Sequence, residues 1–121
     1  MREKPTDGGN ESFATGSNMP RPPLARADVM DRLLALAEEM RSRGATGLFV
    51  YGSVARDEAR ASSDIDLFID YDPASRFNAF NLIGIQHFLH EHLPFTIDIT
   101  TRDGLHPTLR LSIEASAVKV F

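Results

Sequence analysis

The 121-residue sequence contains no cysteine and no tryptophan. The first absence excludes a disulfide framework, a thiolate nucleophile and a cysteine-ligated zinc site, and it suits a reducing, cytoplasmic setting. Long apolar runs are missing too: residues 33–37, and 65–69 with Asp66 interrupting, are among the longest, far short of the ~20 residues that span a bilayer as a helix. Arg2 and Lys4 have no apolar segment behind them, so neither a secretory signal nor a membrane role is expected. Positive charge is not in excess, and a net charge of -4 argues against a general nucleic-acid-binding face. What remains is a composition of 42% hydrophobic and 25% charged residues, which is that of a soluble globular protein. The length leaves room for one core.

The apolar residues are unevenly spread. Residues 1–25 are rich in Gly, Pro, Ser, Thr, Asn and charge, with Phe13 and Leu24 almost alone as large apolar groups beside the methionines. Such a stretch buries too little to offset its ordering entropy, so we expect a flexible tail over 1–25 and a single domain over 26–121. Met19, just before Pro20-Arg21-Pro22-Pro23, is a second place where translation could begin.

From Asp28 onward Val29, Leu33, Leu36, Ala37 and Met40 recur at helical spacing, with Asp28 placed to cap the start and Gly44 the end. Gly47-Leu48-Phe49-Val50-Tyr51 reads as a strand that enters Gly52-Ser53 and a short helix near Val54, with Phe49 and Tyr51 as core residues. Residues 64–71 form a second strand closed by Asp72-Pro73, with Ile65, Leu67 and Ile69 on one face and Asp64, Asp66 and Asp70 on the other. A helix is expected over 78–92 with Phe80, Ile83, Phe88 and Leu89 inward, and a third strand over 95–101. A last helix over 108–116 starts at Pro107. Residues 118–121 are a candidate fourth strand. The expected fold is therefore α/β (α+β), with a small mixed sheet of three core strands layered by helices.

Two carboxylates at i and i+2 of a strand share a face about 6.6–6.8 Å apart at their α-carbons. Asp64 and Asp66 so placed suit hard divalent cations such as Mg²⁺, which complete their shells with water and substrate phosphate. Asp98 is the acidic residue of the third strand and stands opposite its isoleucines. Gly52-Ser53 supplies the other half of a site: glycine lets backbone approach a phosphate, the hydroxyl donates, and a helix start offers amides. Arg56, one turn on, is placed to neutralise a phosphate or hold a carboxylate. Singly, each feature is most simply a turn or a solvated face; in this order they describe phosphoryl or nucleotidyl transfer. Asp70 is read as peripheral or salt-bridging, and His87, His90 and His92 as a solvated helix face.

The order Gly52-Ser53-Val54-Ala55-Arg56, a spacer, Ser63-Asp64-Ile65-Asp66-Leu67 and a later strand aspartate resembles the DNA polymerase β-like nucleotidyltransferase superfamily. Within it, the short chain is similar to the minimal nucleotidyltransferase (MNT) family. The resemblance covers about residues 28–121 and has one departure, Asp57-Glu58 where members commonly carry Gly-Glu. It implies catalytic, metal-binding carboxylates at Asp64, Asp66 and Asp98, two Mg²⁺ ions, and nucleotide binding by Gly52, Ser53 and Arg56. It further implies an antitoxin that transfers AMP from ATP to a hydroxyl, a tyrosine, of a HEPN ribonuclease toxin with which it forms a hetero-oligomer. Two alternatives stay open: a non-catalytic antitoxin that occludes the toxin, and a small-molecule (antibiotic) adenylyltransferase. The chain is not itself the toxin, because Arg102 and His106 are separated by three residues where the HEPN signature has four to six.

Overall fold

The computed structural model describes residues 25–60 and 64–121. All but the last residue of the expected tail, and Ser63 of the motif, lie outside them. The chain runs α1 (Arg26–Leu34), α2 (Ala37–Ser42), β1 (Ala45–Tyr51), α3 (Gly52–Ala55), β2 (Ile65–Tyr71), α4 (Ala79–His92), β3 (Ile97–Thr101), a 3₁₀ turn (Arg102–Gly104), α5 (Arg110–Ser116) and β4 (Val118–Lys119). The strands form one mixed sheet in the order β3-β2-β1-β4. β1 pairs antiparallel with β2 and β4, whereas β2 and β3 are parallel and joined through α4, the long connection that parallel neighbours require. The C-terminal strand is present, as its sequence suggested.

One sheet face is the core. Leu48, Val50, Ile65, Leu67, Ile69, Ile97 and Ile99 are buried there together with Val29, Leu33 and Met40 of the first two helices and Ile85, Phe88 and Leu89 of α4. Truncating one of these to alanine costs about 2–5 kcal/mol. The single helix expected after Asp28 is broken at Ala35-Leu36, yet the apolar stripe survives the break, because Ala37 and Met40 are buried in line with Val29 and Leu33. Its cap is not Asp28: Ala25 holds the cap position without a side-chain bond and Asp28 sits in the first turn, where its charge suits the helix dipole. Gly44 does end α2, at φ 109°, against the Phe77 ring.

In α4, Asn78 caps the start through a reciprocal capping box with Asn81. The expected inward set is corrected: Phe88 and Leu89 are buried, with Ile85, but Phe80 is 82% exposed and Ile83 46%. The helical pattern held two apolar stripes, and the sheet covers only one. Pro107 is likewise not the first residue of the last helix, which begins three residues later. Among the described residues no helix is long and apolar enough to cross a membrane.

Candidate active site

The opposite sheet face carries the chemistry. Strand pairing sets Tyr51 beside Asp66, and Asp66 beside Asp98, so that three neighbouring strands present Tyr-Asp-Asp in one row. Adjacent strands lie about 4.8 Å apart, which is why residues 32 positions apart in sequence become neighbours. Asp64 stands two residues before Asp66 and precedes the first residue of β2. The structure thus sets Asp66 and Asp98 side by side, with Asp64 near enough for its charge to reach Asp66.

The Gly-Ser turn closes on this row. Gly52 has φ 72°, and a β-carbon there would lie 2.5 Å from Asp66 Oδ2. Glycine is therefore required twice, by its left-handed backbone and by the carboxylate packed against it. The helix expected near Val54 begins at Gly52 itself and is one turn long, so it contributes a few free amides and no long dipole. Arg56 Nε bonds Glu58 Oε1 at 3.0 Å, and its charge partly offsets the repulsion felt by Asp66.

Burial, then the charges of Asp98 and Asp64, push the Asp66 carboxyl above its ordinary pKa. The same burial and the charges of Asp66 and Asp98 push the Tyr51 hydroxyl up. None of the side chains of Tyr51, Ser53, Asp64, Asp66 and Asp98 has a hydrogen bond or ion pair among the described residues. Like charges that Arg56 offsets only in part, and that no ion pair neutralises among the described residues, are costly in a fold, and hard cations are what such oxygen donors accept. The donor chemistry fits Mg²⁺. Among the described residues no three His, Asp or Glu side chains converge as a metal-ligand set.

Tyr51 and Phe49 are corrections to the sequence reading: both lie on this face and not in the main core. Phe49 stacks on Phe68 at 4.8 Å and Tyr51 tilts against Phe68 at 5.9 Å. Their parity relative to the buried Leu48 and Val50 was the signal. Asp57 explains the departure from Gly-Glu. It has φ 57°, a conformation that glycine adopts freely, and its Oδ1 accepts from the Arg26 amide at 2.9 Å, tying the site loop to the start of α1. Two of the helix histidines have structural contacts: His92 Nδ1 lies 2.9 Å from the Phe88 carbonyl and His90 Nε2 3.3 Å from that of Ile97.

A strand–Gly-Ser–helix turn laid against carboxylates on two neighbouring strands is the arrangement from which the sequence suggested nucleotidyl transfer. Comparison with known proteins agrees: the nucleotidyltransferase domain family matches residues 33–120, and the chain belongs to that family. It is 34% identical over 73 residues to "Putative protein adenylyltransferase MJ1217" of Methanocaldococcus jannaschii, covering 59% of this chain and 71% of that one. A solved structure described as a "putative minimal nucleotidyltransferase" superposes with TM-score 0.67 at 29% identity, covering 85% of this chain and 98% of that chain. A toxin-antitoxin structure with AMP-PNP shares the fold, with TM-score 0.60 at 14% identity over 76% of this chain and 72% of that one.

Proposed function

We propose that the chain is a Mg²⁺-dependent protein adenylyltransferase that moves AMP from ATP onto a tyrosine hydroxyl of a HEPN ribonuclease toxin, acting as its cytoplasmic antitoxin. The observation that carries this reading is the row of unpartnered carboxylates, Asp66 and Asp98 with Asp64, facing the Gly52-Ser53 turn. The name of the M. jannaschii relative supports a protein as acceptor. The toxin-antitoxin neighbour with AMP-PNP supports an adenine nucleotide and a toxin partner in a hetero-oligomer. Apolar side chains left in water at Phe80 and Leu111, each 82% exposed, supply surface for such a partner.

In this reading Asp64, Asp66 and Asp98 hold two Mg²⁺ ions, which neutralise the phosphate chain when bound. Gly52 and Ser53 grip the terminal phosphates and Arg56 adds positive charge at the mouth. The acceptor oxygen attacks the α-phosphorus while the bond to the bridging oxygen breaks, and pyrophosphate leaves. Asp98, if not a ligand at that moment, receives the hydroxyl proton. Residues 26–121 act as one catalytic domain, and the acceptor half of the site comes from the partner.

The test is intact-mass spectrometry of the co-expressed partner after ATP and Mg²⁺. Wild type should add adenylyl units, and Asp64→Ala/Asp66→Ala none. A partner that stays unmodified yet is inhibited equally by both proteins would establish a purely occluding antitoxin instead.

A further inference from the structure

Tyr51 is the part of the site for which neither the strand core nor the carboxylates account. The last residue of β1, it leads directly into the Gly52 turn and projects on the same face as Asp66, its cross-strand neighbour. Its ring is fixed from behind by Phe68, which is itself buried under Phe49 and the Arg102 guanidinium. The ring thus packs on one side against Phe68, next to the turn and beside Asp66. Its hydroxyl, half-buried, finds no partner among the described residues.

The surroundings decide what that hydroxyl can serve. The three aspartates offer only acceptors when ionised, whereas an anion lying between the turn and the row needs donors. Ser53 supplies a hydroxyl donor from the turn. Tyr51 supplies one from the floor, on the β1 side of Asp66. A phenylalanine would give the same packing against Phe68 with no donor, so the hydroxyl is the distinguishing atom.

We propose that Tyr51 is a further substrate-binding residue, whose hydroxyl donates a hydrogen bond to an anionic oxygen of the nucleotide's phosphate chain as it lies between Gly52-Ser53 and the Asp66–Asp98 pair. The inference rests on the nucleotide-transfer reading of that site and adds a donor to it. Its ring acts by keeping the hydroxyl at the seam, and its neutrality lets it approach phosphate and carboxylate alike.

The test is calorimetric titration of the full chain with AMP-PNP in the presence of Mg²⁺, alongside thermal unfolding. Tyr51→Phe should bind about 10-fold more weakly, the size expected for one hydrogen bond to a charged group, with its Tm within ~2 °C of wild type. Tyr71→Phe, the other tyrosine, should bind as wild type does. Tyr51→Leu should lose the same affinity and also lower Tm, because the ring packing goes with the hydroxyl. If wild type binds, Asp66→Asn does not, and Tyr51→Phe binds as wild type does, the role of Tyr51 is refuted and the site reading stands. If wild type itself does not bind, the nucleotide reading falls, and this inference with it.

Discussion

Asp66 and Asp70 lie on the same face of the same strand, roughly 13 Å apart along it, and they lead opposite lives. Asp70 is held in a fork by Arg102, Nε to Oδ1 at 2.7 Å and Nη2 to Oδ2 at 2.9 Å. The same guanidinium donates to Glu114 at 2.8 Å and lies 4.8 and 4.9 Å from the Phe49 and Phe68 ring centroids. Nearby, the Tyr71 hydroxyl donates to Asp103, which also accepts from Thr101. Every polar group just named at that end has its partner within the fold. At the other end Tyr51, Asp64, Asp66 and Asp98 have none among the described residues. One end of the sheet face is built to hold α5 and the 3₁₀ turn in place, and the other is left with free valences for something from outside.

The largest effect expected from breaking this contrast is on activity. Asp66→Asn should lower adenylyl transfer by at least ~10²-fold, the loss typical when one electrostatic group of a preorganised site is removed. In the metal-free protein the same change should raise Tm, because it removes a charge that burial, and then the repulsion from Asp98 and Asp64, disfavour. An unchanged or lower Tm would mean that the carboxylates are not in conflict.

Gly52→Ala follows. Its β-carbon would meet Asp66 Oδ2 and its backbone would resist φ 72°, so the turn and the carboxylate must part. A displacement of about 1 Å at a reacting centre costs on the order of 10²-fold in rate, and single-turnover kinetics would register it.

At the satisfied end, Arg102→Met should cost roughly 1–3 kcal/mol of stability through lost charge-assisted bonds and cation–π contact. Urea denaturation measures it, and transfer activity per folded molecule should be kept. A variant that retained stability but lost activity would reverse the division of labour between the two ends.

The smallest effect is one of sign with pH. The raised Asp66 pKa means its stabilisation is present at low pH and lost as pH rises through the folded value, so the stability advantage of Asp66→Asn should grow on that rise. Glu114 is held below its ordinary range, first by its bond from Arg102, so its contribution is present above the unfolded value and lost as pH falls through the folded one. Glu114→Gln should therefore be destabilising at neutral pH and indifferent in acid. Thermal unfolding of the two variants from pH 3 to 7, a window of about these carboxyl values, would show the slopes to be opposed.

Much of this was legible in the chain. Alternation along β2 put Asp64, Asp66 and Asp70 on one face by backbone geometry alone, because side-chain direction has period two whatever the rest of the fold does. Asp98 was legible as the acidic residue opposite the isoleucines of its strand and Gly52-Ser53 as a turn between strand and helix, and the resemblance joined them to Asp64 and Asp66. Harder to read was which of two apolar stripes on α4 meets the sheet, since Phe80 and Ile83 are as apolar as Ile85 and Phe88 and only packing separates them. Tyr51 and Phe49 were misplaced for a related cause: an aromatic residue in an apolar strand reads as core, although parity with Leu48 and Val50 put them on the other face.

By itself, then, the sequence determined the candidate carboxylates and the turn, with the strands that carry them, since strand alternation and the glycine turn are properties of short segments. The tertiary structure alone decided their fates. The parallel pairing of β2 with β3 set Asp98 beside Asp66, and the return of Arg102 over Phe68 neutralised Asp70 while leaving Asp66 unpaired. Which of two chemically identical carboxylates is satisfied depends on cations and strands far away in sequence, and distance in space is what the fold supplies.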